Sequence, residues 1–110
     1  MQKFLRLTSN DAFLEVRKAG QSWYSKLLVL RVLCNNSQKT RFGVVVGRRI
    51  GNAVKRNQVK RRLREIVKAA DLKNGRDVIL SAQPGSESVS FEMLKQSAGA
   101  LFRRASVINM

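Results

Sequence analysis

Residues 41–68, RFGVVVGRRIGNAVKRNQVKRRLREIVK, constrain this chain more than any other stretch. They carry ten of its twenty-two Lys and Arg residues and a single acid, Glu65. The apolar run at 42–46 predicts a strand, the glycines at 47 and 51 bound a turn, and a long cationic helix is expected over 53–70. Fixed positive charge at that density on an ordered element repels itself unless a polyanion offsets it. A nucleic acid meets that requirement best.

At 100° per residue, Val59, Leu63, Ile66, Val67 and Ala70 share one stripe of the helix, which predicts the face turned to the core. Asn57, Lys60, Arg61, Arg64 and Lys68 fall on an adjacent, outward face. A solvated face laced by i,i+4 ion pairs would need acids, and only Glu65, within reach of Arg61 or Arg62, is at hand. Arg48 and Arg49 stand in the turn before the helix, and Asn52 can cap it. Free N–H groups and the positive dipole end of a helix N-terminus favour a phosphate oxygen. The GxxxxGK(S/T) pattern of a phosphate-cradling loop is missing.

Composition closes off other classes. A chain of 110 residues has room for one core, so residues 1–110 are expected to form a single domain, and its charge makes nucleic acid the expected partner. With 44% hydrophobic and 26% charged residues it should fold, which makes the net charge of +15 the mark of an ordered basic module. Cys34 is the only cysteine, so neither an internal disulfide nor a Cys-based zinc site can form. Histidine, the commonest general base, is absent. No apolar run approaches the ~20 residues of a membrane span, and the N-terminus lacks a signal-peptide core, so a cytoplasmic location is expected.

Along the chain, Lys3 and Arg6 alternate with Phe4, Leu5 and Leu7 in a basic lead-in. A helix is expected over 9–19, with Thr8 and Asp11 as a capping box, Gly20 as its C-cap, and Ala12, Phe13, Val16 and Ala19 on its apolar stripe. Residues 21–25 predict a short strand and 26–34 a second, interrupted by Arg31. The turn-forming run at 35–39 joins this to the strand at 40–47, and a hairpin is the economical arrangement. A further strand is expected over 77–82, a loop over 83–88, and a helix capped by Ser90 running to Arg104, with Phe91, Leu94, Ala98, Leu101 and Phe102 inward. The tail from Ala105 should fray. The order is α-β-β-β-α-β-α, an α/β (α+β) two-layer sandwich with three helices on an approximately four-stranded, mostly antiparallel sheet.

The string GNAVKRNQVKRRLRE resembles the signature of the bacterial ribonuclease P protein family, GNAVxRN followed by a basic helix ending KRxxRE. Gly51, Asn52, Ala53, Val54, Arg56, Asn57, Lys60, Arg61, Arg64 and Glu65 all match it. The likeness extends through Arg6-Leu7, Phe13, Gly20, the VVVGRR strand and Asp77-Val78-Ile79. The resemblance implies a fold like ribosomal protein S5 domain 2, with a left-handed βαβ crossover that general rules would not have chosen. It implies binding of the catalytic RNA by Arg48, Arg49, Arg56, Asn57, Lys60, Arg61, Arg64 and Lys68. The 5′ leader of precursor tRNA would then lie in a cleft between the first helix and the sheet, against Phe13, Arg17 and Arg31.

Two positions depart from the family pattern. Gln58 replaces the last Arg of an Arg-Asn-Arg triplet, but position 58 lies off the outward face. Arg17 and Arg31 stand where the family often has aromatics, which predicts a leader cleft governed more by charge than by stacking, unless both only reach to solvent from half-buried stems.

Asp11, Glu15, Glu65, Asp71, Asp77, Glu87 and Glu92 are scattered over different elements, so no protein-borne acid–base pair or carboxylate metal site is expected. Asp11 and Glu15 share a helix face, where acids complement the dipole. The resemblance assigns hydrolysis to Mg2+ held on the RNA subunit, with no cofactor kept permanently by the protein, no membrane and no obligate protein partner. The alternative is a general basic RNA-binding or ribosome-associated protein without a role in cleavage. A DNA-binding module would need a partner helix or a zipper that the sequence lacks. A membrane-active helix would need the apolar stripe that the core requires.

Overall fold

In the computed structural model the elements follow the order β1 (Leu5–Arg6), α1 (Asn10–Ala19), β2 (Gln21–Tyr24), β3 (Leu28–Cys34), β4 (Arg41–Val45), α2 (Ala53–Ala69), β5 (Arg76–Ala82) and α3 (Phe91–Arg104). Single 3-10 turns occupy Arg48–Ile50 and Ser86–Ser88. The structure describes residues 5–7 and 9–109. Lys3, Phe4, Thr8 and Met110, part of the expected lead-in, capping box and tail, lie outside the described residues.

The three helices form where capping residues precede an apolar stripe. Ser9 caps α1 by accepting from the Ala12 N–H at 3.2 Å. Asn52 caps α2 through the Lys55 N–H, and Ser90 caps α3 through the Met93 N–H. Val59, Leu63, Ile66 and Val67 of α2 are buried as the periodicity predicts, as are Leu94, Ala98, Leu101 and Phe102 of α3.

The strands pair in the order β1-β4-β5-β3-β2. β4 pairs in parallel with both β1 and β5, while β3 pairs antiparallel with β5 and β2. The sheet is therefore mixed, and the expected hairpin between β3 and β4 does not form. β5 lies between them. Its Val78-Ile79-Leu80 run is buried on both faces, the signature of a central strand. Asp77, 3% exposed, fixes the insertion. Its carboxylate accepts from Arg41 Nε and Nη2 at 2.9 and 2.6 Å and from Asn35 Nδ2 at 2.8 Å. The start of β5 is thereby tied to the end of β3 and the start of β4. The hydrogen bonding that Arg41 donates to Asp77, ahead of the charge attraction, holds the guanidinium above its ordinary pKa.

Side-chain alternation gives the sheet two different faces. Leu28, Leu30 and Val32, Phe42 and Val46, and Val78 and Leu80 meet α2 and α3 in the main core, with Trp23 and Val44 packed against it. The opposite face carries the smaller cluster of Leu7, Val16 and Ile79, covered by α1 with Phe13 and Leu33. The tail does not fray: Val107 is buried, Leu72 and Ile108 form a β-bridge, and the Asn109 N–H donates to the Asp71 carbonyl at 2.8 Å.

Candidate nucleic-acid interface

The α1 side of the sheet is built in rows by the strand registers. Ser22, Arg31, Ile79 and Gly43 lie side by side across β2, β3, β5 and β4. Next to them, Tyr24, Val29, Ser81 and Val45 form a second row across the same four strands. α1 lies over the first row. Its Phe13 ring lies so close over Gly43 that a Cβ there would come within 2.5 Å of the ring edge. Only glycine leaves room for that contact.

Where α1 stops short of the second row, a cleft of about 170 Å³ opens, lined by Phe13, Arg17, Arg31, Val45, Ile79 and Ser81. The three residues expected there from the sequence, Phe13, Arg17 and Arg31, thus share one cavity. Arg17 is exposed and Arg31 half-buried. Val45, Ile79 and Ser81 were not foreseen, because the expected hairpin hid the registers that bring β4 and β5 to this wall.

The second group of residues occupies α2 and the turn before it. Arg56, Lys60, Arg64 and Lys68 stand at i,i+4 spacing in one row about 18 Å long, with Asn57 and Arg61 beside them. Asn57, Arg61 and Lys68 are exposed, whereas Arg56, Lys60 and Arg64 are half-buried along the flank of the helix. The Nε of Arg56 is buried with no hydrogen-bond partner. Among the described residues the one salt bridge is Arg41–Asp77, so no acid neutralises this row, and Glu65 pairs with neither Arg61 nor Arg62. Arg62 instead donates to the Val89 carbonyl at 3.2 Å, tying α2 to the segment before α3.

Arg48 and Arg49 are exposed in the 3-10 turn, which is anchored by buried Ile50 and closed by Gly51 at φ +147°, a conformation that excludes most side chains. This turn leaves the sheet three residues beyond Val45, so it links the open end of the cleft to the start of α2. The carboxyl ends of adjacent parallel strands, here β4 and β5, are where α/β sheets commonly receive ligands. Among the described residues no three Cys, Asp or Glu side chains come together as a metal-binding group, and no helix is long and apolar enough to cross a membrane.

The chain is similar to the ribonuclease P protein components of Herpetosiphon aurantiacus, at 35% identity over 96% of this chain and 87% of that protein, and of Brevibacillus brevis, at 38% over 98% and 88%. Among solved structures it resembles the RNase P protein of Staphylococcus aureus, with a TM-score of 0.86 and 29% identity over 97% of this chain and 100% of that one. The RNase P protein from Thermotoga maritima follows at 0.80 and 28%, covering 89% and 96%. The family model for Ribonuclease P spans residues 1–106, and with these relatives it establishes that the chain belongs to the ribonuclease P protein family.

Proposed function

We propose that this chain serves ribonuclease P by holding two RNAs on two separate surfaces. Its family makes it the protein component of a ribonucleoprotein endoribonuclease, partnered with the ribonuclease P RNA. In our reading that RNA lies along Arg56, Asn57, Lys60, Arg61, Arg64 and Lys68 of α2, with Arg48 and Arg49 at one end. The single-stranded 5′ leader of precursor tRNA enters the cleft of Phe13, Arg17 and Arg31. Mg2+ ions carried by the RNA perform the hydrolysis, and the protein lowers the magnesium needed by fixing the substrate.

The observation that supports this most is charge without internal compensation. The α2 row has no salt-bridged acid, and the cleft gathers two guanidinium groups with one aromatic ring and no carboxylate. A groove of cations with an aromatic ring suits an unpaired strand, whose phosphates and bases present charge and π-faces together.

Reconstitution tests the reading. The full chain is mixed with a bacterial ribonuclease P RNA and a leader-bearing precursor tRNA at a magnesium concentration where the RNA alone is nearly idle. Cleavage at the mature 5′ end should return when the chain is added. Binding to the RNA with no change in rate or magnesium requirement would leave a general RNA-binding protein instead.

A further inference from the structure

Tyr24 is the one exposed aromatic side chain among the described residues, at 59% exposure. Its neighbour Trp23 packs against the main core, so strand alternation turns the Tyr24 ring to the α1 side of the sheet. There it ends the row of Val29, Ser81 and Val45, in which Val29 is buried and Ser81 half-buried. Val45, at the other end, is itself 42% exposed. Three strand spacings separate the two ends by roughly 14 Å.

Arg31 lies one row inward, opposite Ser22, which makes it the diagonal neighbour of Tyr24 across β2 and β3. Diagonal pairs stand about 7–8 Å apart, within reach of a long side chain and a ring. The strand under the ring is held in place. Arg104 Nη1 donates to the Tyr24 carbonyl at 3.0 Å, and Ser25 closes the turn through the Leu28 N–H and carbonyl. A ring on a fixed backbone loses little further freedom when a ligand settles on it.

We propose that Tyr24 is a stacking platform for one unpaired nucleobase of the RNA strand in the cleft, with Arg31 holding a neighbouring phosphate. The proposal rests on the reading of the cleft as a leader site and extends that site across the full width of β2, β3, β5 and β4. It also alters what Arg17 and Arg31 mean. Stacking is not lost from the cleft but moved outward, to an aromatic that the sequence gives no reason to single out. Because every base has a π-face, the platform favours length over sequence. It engages only leaders long enough to reach it.

The test uses the reconstituted complex and precursor tRNAs whose leaders are shortened one nucleotide at a time, with leaderless tRNA as reference. Wild-type affinity should rise by a step at one leader length. Tyr24→Ala should remove that step, a loss of about 5- to 150-fold, the range that base–aromatic stacking spans on alanine substitution. Tyr24→Phe, which keeps the ring, should restore it, and the denaturation midpoint of each variant reads folding separately. If Tyr24→Ala leaves every leader-length step of the wild type in place, including the one at the longer leaders that pass Phe13, Arg17 and Arg31, this proposal alone is overturned. A wild-type complex indifferent to leader length would overturn both it and the leader reading.

Discussion

At the residue scale the cleft depends on what is missing at position 43. Gly43 is buried, and Phe13 fills the space where its Cβ would be, within 2.5 Å of Cζ and 2.7 Å of Cε1. Gly43→Ala must push the ring, or the whole of α1, away from the sheet. Overpacking of this kind costs about 1–3 kcal/mol, read as a lowered denaturant midpoint. Phe13 also lines the cleft, so the same variant should weaken binding of leader-bearing precursor more than binding of leaderless tRNA. Adding Phe13→Leu, which shortens the intruding side chain, should recover part of the stability through a coupling between the two positions. Strictly additive losses would show that Phe13 does not rest on Gly43. Neither partner could be paired from sequence. Phe13 was legible as an apolar helix position and Gly43 only as a residue of a strand, and their contact exists because β5 pushes β4 one place outward and α1 crosses above it.

At the element scale, what was readable was whatever follows from local period. The limits of α2 and α3, their caps and their buried stripes follow from spacing that a helix imposes on neighbours in sequence. Strand pairing is non-local. The turn-like run at 35–39 suggested a hairpin, yet Asn35 and Lys39 are bound into the Asp77 network that admits β5 between β3 and β4. The signal that would have found this was the unbroken apolar run at 78–80, too continuous for an edge or half-exposed strand.

The cationic row of α2 was legible for the same local reason, and α2 packs on the opposite side of the sheet from the cleft. The two surfaces should therefore fail independently. Arg64→Ala should weaken association with the ribonuclease P RNA roughly tenfold, the worth of one charge-assisted contact of about 1.5 kcal/mol, and leave the ratio of leader-bearing to leaderless affinity in the assembled complex unaltered. Arg17→Ala should do the reverse. Titrations of each variant against RNA and then against the two tRNAs check this, and equal damage to assembly from both would abolish the two-surface division.

At the scale of the whole molecule the governing quantity is charge: twenty-two cations against seven acids, with the best-paired acid, Asp77, spent on the sheet. Salt should consequently act on the free chain and on its RNA complex with opposite sign. In the free chain, added salt screens self-repulsion among unpaired Lys and Arg over a Debye length that shrinks to about 8 Å near 0.15 M. The unfolding midpoint should climb as salt is raised from low ionic strength. In the complex, counterions released from RNA on binding make log K fall linearly with log salt, by about 0.7–0.9 for each phosphate neutralised. Arg64→Ala should flatten that slope by about one such increment. Tyr24→Ala should leave it unchanged, because a base on a ring releases no counterion. Thermal melts of the free chain and binding titrations over one salt series measure both effects. A midpoint that drops with salt would mean that the cations are stabilised by partners within the fold. The row on α2 would then be a structural network, with no excess charge left to attract a polyanion.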